Sequence, residues 1–446
     1  MQLPVRLPLP SPLRKIAYQT LLDLSTEEGI NASGKDEIYG CIFGRDSAIT
    51  ILKILRANQN RKDQKLLQIC KRALLTLTSL QGKEFNIESG EAPGKFIHEF
   101  RRDKYDHLVN GPEKWFLYPD NTMKNYDSID STPLALIALY RYWQESKDGE
   151  FLISVLPSVE AGLNWIVSYG DIDKDSLLEY EIQPQRKHGG LVVQSWTDSN
   201  EAMRDKNGKF AKYPIAPVEA QGYAWLALKL WGRFYVQTSP TFGQKLLSQA
   251  AKMKKAFNKH FLIKDNELTF CAQALDGDKK QIKVITGNPL LLLWATDTED
   301  SVIESIIETQ YIEQLVKRAF QSDLFDHRAG IRTMSKNSPT FNPNQNSYHN
   351  GSFWPVLNGM AYEGLVNWNF FKQARLLKNA TLEPLRFFNS PIELYTLGTD
   401  GTYLEFNNGT GQTGCRYQAW SAAVMLDMLT SKSLFTQISQ FFLKSQ

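Results

Sequence analysis

The feature that most constrains the fold is an alternation of two kinds of helical segment along the chain. Segments of the first kind are apolar on nearly every side, such as SAITILKIL from Ser47, TPLALIALYRYW from Thr132 and AWSAAVMLDML from Ala419. Segments of the second kind are charged and have one apolar stripe, such as KDQKLLQICKRALLTLTSL. A helix that is apolar all round must be buried on most sides, whereas an amphipathic helix covers a core with one face. The alternation therefore predicts an inner set of helices wrapped by an outer set.

The helical period predicts twelve helices in one all-α domain. Their ranges are 12–28, 46–60, 62–81, 132–148, 150–169, 217–237, 241–262, 289–296, 301–320, 352–368, 370–388 and 417–431. An inner ring within an outer ring is an (α/α)6 toroid, and we expect residues 1–446 to form a single toroidal domain. The alternative is a superhelical stack of helix pairs, but the sequence has no short repeat with residues at fixed positions.

Composition and charge narrow the class of protein. Apolar residues make up 42% of the chain and charged residues 22%, which is typical of a globular protein with a large core. The net charge of +3 is spread along the chain, so no nucleic-acid partner is expected. We expect no membrane span, because no run of about 18 uncharged apolar residues occurs. The start, MQLPVRLPLPSPLRK, lacks the apolar core of a secretory signal, which favours a cytoplasmic location.

The cysteines do not predict a metal site. Cys41, Cys70, Cys271 and Cys415 are scattered without C-x-x-C spacing. A structural zinc site is therefore not expected, and a disulfide framework would be unusual in a chain of this length. We interpret the four as small buried thiols and expect neither a metal nor an organic cofactor.

Five long loops separate many of the predicted helices, and most of them lead into the apolar ones. They cover about 83–130, 171–216, 264–288, 322–351 and 389–416. In a toroid the inner helices run the same way, so these loops would gather on one face. Long loops without helices of their own are usually functional or disordered. Their content of Trp, Tyr, Gly, Asn, Asp and Arg favours function.

Two of these loops carry carboxylates suited to splitting a glycosidic bond. GGLVVQSWTDSNEAM places Asp198 beside Trp196, and NSPIELYTLGTDGTYLEF places Glu393 before a turn rich in Gly, Asn and Thr. Two carboxylates on opposite sides of a pocket are the minimal equipment for this reaction. Partial desolvation beside Trp196 would raise the pKa of Asp198 and keep it protonated as a general acid. Glu393 is preferred as the general base, with Glu405 as its competitor.

Several other polar residues stand at the starts of the apolar helices. Arg45 and Asp46 can grip sugar hydroxyls, although Asp46 can also cap its helix. Asp130 precedes a Ser-Thr-Pro helix start and can equally cap it or contact the substrate. Near Asp198, Glu201, Arg204 and Glu219 are rivals, and Glu219 is expected to orient neighbouring groups.

A wall of aromatic and polar residues completes the predicted site. A lone histidine is more often structural than catalytic, but the aromatic and amide neighbours of His349 favour a ligand-lined wall. The predicted substrate contacts are Arg45, Asp46, Asp130, Trp196, Glu219, Arg332, Tyr348, His349, Asn350, Trp354 and Trp420.

Seven short motifs occur in an order that is found in a known group of enzymes. They are FGRDS, PGKFIHEFR, DSIDSTPL, SWTDS, VEAQGYAW, GIRTMS…YHNGSFWP and IEL…C…QAWSAA, and they extend from about Tyr39 to Ala423. In this order they resemble the glucosidase domain of glycogen debranching enzymes and the broader amylo-α-1,6-glucosidase-like glycoside hydrolases. The resemblance implies an (α/α)6 barrel, which mannosyl- and glucosylglycerate hydrolases share.

The resemblance also implies roles for individual residues. The acid of the W-x-D-S motif falls on Asp198, and the base that precedes the Q-A-W-S helix falls on Glu393. The Arg-Asp pair of the G-R-D motif falls on Arg45 and Asp46, which would hold the sugar where cleavage occurs. The sequence has no amylase-like transferase domain, so a smaller α-glucoside or α-mannoside, such as a glucosyl- or mannosylglycerate, is a second candidate substrate.

The sequence therefore predicts an inverting α-glycosidase, an α-glucosidase by preference, that acts on the terminal sugar of an oligosaccharide or a small α-glycoside. One alternative is a phosphorylase on the same fold, which would need a basic phosphate cradle in place of Glu393. Another is a non-catalytic sugar-binding toroid, in which one of the two carboxylates would be expected to be lost.

Overall fold

A computed structural model describes residues 12–299 and 302–431 of the 446-residue chain. The secretory-signal expectation rests mainly on residues 1–11, which lie outside these ranges. The described ranges contain thirteen helices: α1 (Pro12–Asp23), α2 (Gly44–Asn60), α3 (Gln64–Ser79), α4 (Asp106–Val109), α5 (Ser131–Ser146), α6 (Gly149–Ser168), α7 (Val218–Thr238), α8 (Pro240–His260), α9 (Leu291–Trp294), α10 (Thr309–Ala319), α11 (Pro355–Asn367), α12 (Phe371–Phe388) and α13 (Ala419–Thr430). Each of the twelve predicted ranges contains a helix, but α1 ends at Asp23 and α10 begins only at Thr309. The one-turn α4 is an addition within the first long loop.

The apolar helices pack against one another in a closed cycle. From α2 the contacts run to α5, α7, α9 and α11, then to α13, which packs back against α2. The short α9 is preceded by a 3₁₀ turn, Asn288–Leu290, and both are fully buried. Their side chains face neighbours on most sides, as their composition requires.

The amphipathic helices cover the outside of this cycle. α1 packs on α13, α3 on α2 and α5, α6 on α5, α8 on α7, and α12 on α11. Helix α10 packs on the turn before α9. Each buries one stripe; in α8, for example, the buried residues include Leu246, Ala250, Met253 and Phe257. This spacing of three and four residues is the apolar face that the sequence pattern predicts.

One helix of the described ranges, α6, is long and apolar enough to cross a membrane by length and composition alone. It carries Glu150 and Glu160, and it buries Phe151, Val155 and Val159 while it packs on α5. The core helix of a soluble protein passes the same test, so this helix is weak support for a membrane span.

The long loops are not irregular throughout, which corrects the strictly all-α expectation. They and the shorter connections contain strands of two to four residues: β1 (Ser25–Thr26), β2 (Gly29–Ile30), β3 (Ile42–Phe43), β4 (Glu99–Arg101), β5 (Met123–Asn125), β6 (Ala216–Pro217), β7 (Leu262–Asp265), β8 (Leu268–Cys271), β9 (Ala274–Leu275), β10 (Gln281–Ile282), β11 (Thr296–Asp297), β12 (Glu304–Ser305), β13 (Phe325–Asp326), β14 (Gly330–Ile331), β15 (Tyr395–Leu397) and β16 (Tyr403–Glu405). Strands this short show no recognisable alternation in the sequence.

These strands pair antiparallel and fix the connections between the helices. Two sheets have three strands, ordered β3-β4-β5 and β6-β9-β10, and the other strands form hairpins. In the first sheet Phe43 pairs with Glu99, which in turn pairs with Asn125. The pairing satisfies backbone groups that would otherwise be buried without partners. It also places loop residues beside the start of α2.

Candidate active site

The N-terminal ends of α2, α11 and α13 meet around a cavity of about 240 Å³. Arg45 and Asp46 lie in the first turn of α2, Gln418 is the residue before α13, and Trp354 is the residue before α11. The cavity is lined by Ile38, Tyr39, Phe43, Arg45, Asp46, His98, Glu99, Arg101, His107, Leu108, Trp115, Leu191, Trp196, Asp198, Tyr348, Trp354, Glu393, Gln418 and Trp420. Both predicted catalytic carboxylates are therefore in the wall of one cavity.

Arg45 joins three parts of the chain beneath this cavity. Its Nε donates to both carboxylate oxygens of Asp130, at 3.0 and 2.9 Å. Its Nη1 donates to Asp198 Oδ2 at 3.0 Å, and its Nη2 donates to the carbonyl oxygen of Ser195 at 2.8 Å. The fork geometry of a guanidinium suits it to hold several acceptors in fixed positions. Arg45 thereby fixes both the loop and the side chain of Asp198.

Asp198 has the environment of a general acid. The Asp198 side chain is 24% exposed and lines the cavity, whereas the Arg45 side chain is 3% exposed. Burial raises the pKa of Asp198 above its ordinary value, and the contact with Arg45 only partly opposes this rise. A carboxyl group with a raised pKa holds its proton at a higher pH and can deliver it to a leaving oxygen.

Glu393 lies in a more enclosed part of the wall and is 2% exposed. Its Oε1 accepts a hydrogen bond from the Tyr348 hydroxyl at 2.6 Å, and its Oε2 accepts one from the backbone N–H of Cys415 at 2.8 Å. The Tyr348 hydroxyl also lies 3.1 Å from that of Tyr39. Burial raises the pKa of Glu393 to about 7, although both hydrogen bonds favour the charged form. A base in this range suits catalysis near neutral pH.

The competitors of these two carboxylates lie elsewhere. The side chain of Glu405, on β16, is 35% exposed and pairs with Arg416 Nη2 at 2.5 Å. Glu201 is exposed, and Arg204 donates to the carbonyl oxygens of Asn200 and Gly208. None of these three side chains lines the cavity.

Asp46 is part of the cavity wall and does not cap its helix. The residue that precedes α2 is Phe43, and no side chain caps this helix start. Asp46 accepts a hydrogen bond from Gln418 Nε2 at 3.0 Å, and it is 5% exposed. Burial raises the pKa of Asp46 to about 8, although Arg45 opposes this rise.

Aromatic rings form the remaining wall. Trp196 contacts the ring of Trp354 edge to face with the centroids 5.7 Å apart, and Trp354 contacts Trp420 at 6.0 Å. The indole N–H groups of Trp196 and Trp420 are buried without hydrogen-bond partners. Buried donors are normally satisfied, so these two N–H groups are candidates to donate to ligand hydroxyl oxygens.

Two predicted substrate contacts lie beneath the cavity. Asp130 is fully buried and precedes α5, but its side chain does not cap the helix because both oxygens accept from Arg45. Glu219 is fully buried in the first turn of α7 and accepts from Asn288 Nδ2 at 3.2 Å. Burial raises the pKa of Glu219 to about 7. Neither side chain lines the cavity, and the orienting role of Glu219 stays a prediction.

Three further predicted contacts do not line the cavity in the structure. His349 stacks on Trp354 at 5.0 Å and accepts from the Ser199 N–H, and burial holds its pKa well below its ordinary value. Asn350 donates to the carbonyl oxygen of Glu201 at 3.4 Å. The Arg332 guanidinium lies 4.4 Å from the Phe353 ring centroid, away from the cavity. Sequence proximity to Tyr348 and Trp354 could not show which side chains turn outward.

Sequence reasoning missed several lining residues. Tyr39 and Trp115 carry no local pattern that would identify them. Gln418 stands within the QAWSAA motif and could have been selected on that ground. Glu99 and Arg101 form a buried ion pair in the wall, and their His-Glu-Phe-Arg segment was too short a signal by itself.

The described residues contain one group of acidic side chains close enough to hold a metal ion, and it lies outside this cavity. It consists of Asp171, Asp173 and Asp175. The ammonium of Lys279 lies 2.7 Å from both Asp173 and Asp175 and also contacts Glu179. A protein cation thus already sits beside these carboxylates. The four cysteines are free thiols: Cys41 is half-buried and the others are buried.

Comparisons with known proteins give the family of the chain and support its fold. The sequence profile of the family described as amylo-alpha-1,6-glucosidase matches residues 95–427. No curated protein sequence matches the chain. A mannosylglycerate hydrolase from Thermus thermophilus, solved with glucose, is 16% identical with a TM-score of 0.62 over 93% of this chain and 99% of that one. The same enzyme with Tris and D-glycerate gives a TM-score of 0.63 at 16% identity, again over 93% and 99%.

A rhamnosidase from Klebsiella oxytoca with rhamnose bound is 12% identical, with a TM-score of 0.58 over 93% of this chain and 62% of that one. At these identities the likeness to solved structures concerns the fold alone.

Proposed function

The chain belongs to the amylo-alpha-1,6-glucosidase family and is a glycoside hydrolase, and we propose that it is an inverting α-glycosidase that removes a terminal α-linked glucose. The observation that carries the proposal is the presence of Asp198 and Glu393 in the wall of one cavity, each in a distinct environment. Inverting enzymes need two carboxyl groups about 6.5–9.5 Å apart, which leaves room for a water.

The reaction is a single displacement. Asp198 gives its proton to the glycosidic oxygen, and Glu393 takes a proton from a water that attacks the anomeric carbon from the opposite face. The C–O bond to the leaving group breaks as the bond to water forms, and the configuration at the anomeric carbon inverts. Arg45 then stabilises the Asp198 carboxylate that remains. Tyr348 orients Glu393 through the hydrogen bond to Oε1.

The sugar is held by the groups that remain free. Asp46 accepts from one or two hydroxyls, and the indole N–H groups of Trp196 and Trp420 donate to hydroxyl oxygens. The rings of Trp196, Trp354 and Trp420 supply apolar surface for the sugar face. This set of contacts requires the loops to converge, which the (α/α)6 toroid that we propose for the fold achieves. The closed cycle of inner helix contacts supports that architecture.

A mannosylglycerate or glucosylglycerate is the second candidate substrate, because a structurally similar enzyme was solved with D-glycerate. Two arginines line the cavity, and carboxylates already engage both. Arg45 contacts Asp130 and Asp198, and Arg101 contacts Glu99 and the carbonyl oxygen of Ile38. Neither arginine of this wall is then left for a glycerate carboxylate or for phosphate. This charge pattern favours a neutral aglycone, and it also argues against a phosphorylase.

The configuration of the first product tests the mechanism. NMR spectra collected in the first minutes of hydrolysis of α-1,4- and α-1,6-linked glucose disaccharides should show β-glucose before mutarotation. Mannosylglycerate should be hydrolysed much more slowly in a parallel reaction. α-Glucose as the first product would indicate a covalent intermediate and carboxyl groups about 5–5.5 Å apart, and it would overturn the roles given to both residues.

A further inference from the structure

A second cavity lies outside the candidate active site and has a volume of about 520 Å³. Among the described residues, no lining residue of one cavity lines the other. The loop that carries Asp198 separates them: Leu191 lines the active-site cavity, and Gln194 lines the second one. The backbone N–H of Leu191 donates to Asp127, which is in the wall of the second cavity. This loop therefore separates the two cavities, which have no lining residue in common among the described residues.

Two exposed aromatic rings line this second cavity. Phe85 is 67% exposed and Tyr169 is 46% exposed, and their ring centroids are 5.2 Å apart in an edge-to-face contact. Trp165 also lines the cavity but is only 3% exposed. Large aromatic side chains left this open at a concave surface commonly mark a binding site. Their faces can stack on the apolar face of a pyranose ring.

A buried ammonium group lines the same cavity. Lys95 is 8% exposed, and its Nζ contacts the carbonyl oxygen of Gly90 at 3.3 Å and lies 5.7 Å from the Trp165 ring centroid. It forms no ion pair in the described part of the chain. An ammonium has three donors, and a buried charge without partners is costly. Burial accordingly lowers the pKa of Lys95 to about 8. The unused donors of Lys95 call for an acceptor in the cavity.

The cavity also contains an unused acceptor. Glu179 is 2% exposed; its Oε1 accepts from Lys279, whereas its Oε2 has no hydrogen-bond partner. The Oδ1 atom of Asp171 is also buried without a hydrogen-bond partner. The wall therefore offers both a donor and acceptors, which is what a ligand with several hydroxyl groups requires.

The charges in the wall do not favour an anionic ligand. Five lining residues are acidic and three are basic. Of the three basic groups, Arg186 is already used: it donates to Asp127 at 2.8 Å and to the carbonyl oxygens of His188 and Gly189. A phosphate or carboxylate ligand would be opposed by this excess of acidic groups. A neutral ligand with several hydroxyl groups would not be repelled by these acidic groups.

We propose that this cavity is a second, non-catalytic binding site for a neutral sugar unit, which stacks on Phe85 and Tyr169 and hydrogen-bonds with Lys95 and Glu179. The inference rests on the cavity and not on the roles of Asp198 and Glu393. Such a site would hold a second part of an oligosaccharide, or a second oligosaccharide, beside the loop that carries the general acid.

The test is a calorimetric titration of Glu393→Gln with maltotriose and, separately, with α-linked mannotriose. This variant keeps both cavities but is expected not to consume the ligand. We expect two classes of site for at least one of the two sugars. Adding Phe85→Ala and Tyr169→Ala should weaken one class by about tenfold or more, since each stacked ring contributes roughly 0.5–1.5 kcal/mol. Lys95→Met should weaken the same class.

The matched control is Phe387→Ala, which removes an exposed aromatic ring (59% exposed) that does not line this cavity. It should leave both classes unchanged. A single class with both sugars, or two classes that survive the double substitution, would overturn the proposal. Failure of the proposed function is a separate outcome, because it would appear as α-configured product from the wild-type enzyme.

Discussion

Helix α2 carries buried charged side chains toward both of its ends. At its start, Arg45 and Asp46 are 2% and 5% exposed and line the candidate active site. Two and three turns later, Lys53 is fully buried and the side chain of Arg56 is 15% exposed. The two pairs are similar in burial and lie on one helix. They differ in how completely the polar groups around them are paired.

The second pair belongs to a closed network. Lys53 Nζ contacts Glu363 Oε2 at 2.5 Å and the Gly359 carbonyl oxygen at 2.9 Å, and Arg56 Nη1 contacts Asp427 at 2.7 Å. Glu363 Oε2 also accepts from the Trp294 N–H. Burial alone would raise the pKa of Glu363. The positive charges of Lys53 and Arg56 outweigh this effect and hold the pKa below its ordinary value. This network joins α2, α11 and α13, and its charges satisfy one another.

The first pair belongs to an open network. The carboxyl groups of Asp46 and Glu393 have pKa values raised to about 8 and 7 by burial, and nearby indole donors lack partners. Uncompensated polar groups reduce stability, and they persist where a ligand completes them. Incomplete pairing of nearby groups, more than burial or charge, therefore distinguishes the candidate site from the closed network.

The largest expected effect is on catalysis. Glu393→Gln removes the base and preserves the shape of the wall, so kcat should fall by about 10²–10⁴-fold. Thermal unfolding should change little, because the Gln oxygen can still accept from the Cys415 N–H and the Gln amide nitrogen can donate to the Tyr348 hydroxyl. Steady-state kinetics and calorimetry on one preparation measure both quantities. Full activity in this variant would transfer the role to another carboxylate; Glu405→Gln is the control and should retain wild-type kinetics.

The reverse pattern is expected at the closed network. Lys53→Met leaves Glu363 and Asp427 with one cation fewer, and unfolding free energy should fall by about 3–5 kcal/mol. The activity of the molecules that remain folded should be close to that of the wild type. Denaturant titration measures the unfolding free energy, and kinetics at low temperature measure the activity of the folded molecules. A variant of normal stability and impaired kcat would contradict the comparison.

Asp46→Asn tests whether the start of α2 binds the sugar. Because its pKa of about 8 keeps much of Asp46 protonated near neutral pH, loss of its hydroxyl contact of about 0.5–1.5 kcal/mol should lower kcat/KM by up to about tenfold. Stability should not fall, because Asp46 caps no helix and its pKa is raised. Unchanged kcat/KM with a lower melting temperature would instead assign Asp46 a structural role.

The smallest effect concerns pH. Burial raises the pKa of Glu219 to about 7, above its ordinary 4.5, so its contribution to stability is present below pH 4.5 and is lost as pH rises through 7. Glu219→Gln stays neutral, so the melting temperature of the variant relative to wild type should increase between pH 5 and pH 8. The pH dependence of Glu363 has the opposite sign, because its lowered pKa makes stability fall in acid. If the melting temperatures of Glu219→Gln and the wild type instead change equally between pH 5 and pH 8, the Glu219 carboxyl does not titrate in this range.

Much of the fold could be predicted from the sequence, because helical burial leaves a strong periodic signal. A helix such as α5 or α13, which is apolar on all sides, must be surrounded by other helices, and this property can be recognised in the sequence. The short strands were not predicted, since pairs such as Ile42–Phe43 and Ala216–Pro217 carry no alternation. They form because the buried backbone of the loops needs hydrogen-bond partners.

For the site, the sequence determined which chemistry the chain can carry: an acid beside Trp196, a distant carboxylate, and an Arg-Asp pair at a helix start. Only the tertiary structure decided which of these groups face one cavity. It separated Asp46 and Trp420, which line it, from Asp130, His349 and Arg332, which do not, and it added Tyr39 and Gln418. The physical reason is that side-chain direction and pairing depend on contacts between residues far apart in the chain. Local sequence fixes the helices, whereas long-range packing fixes which polar groups remain open to a ligand.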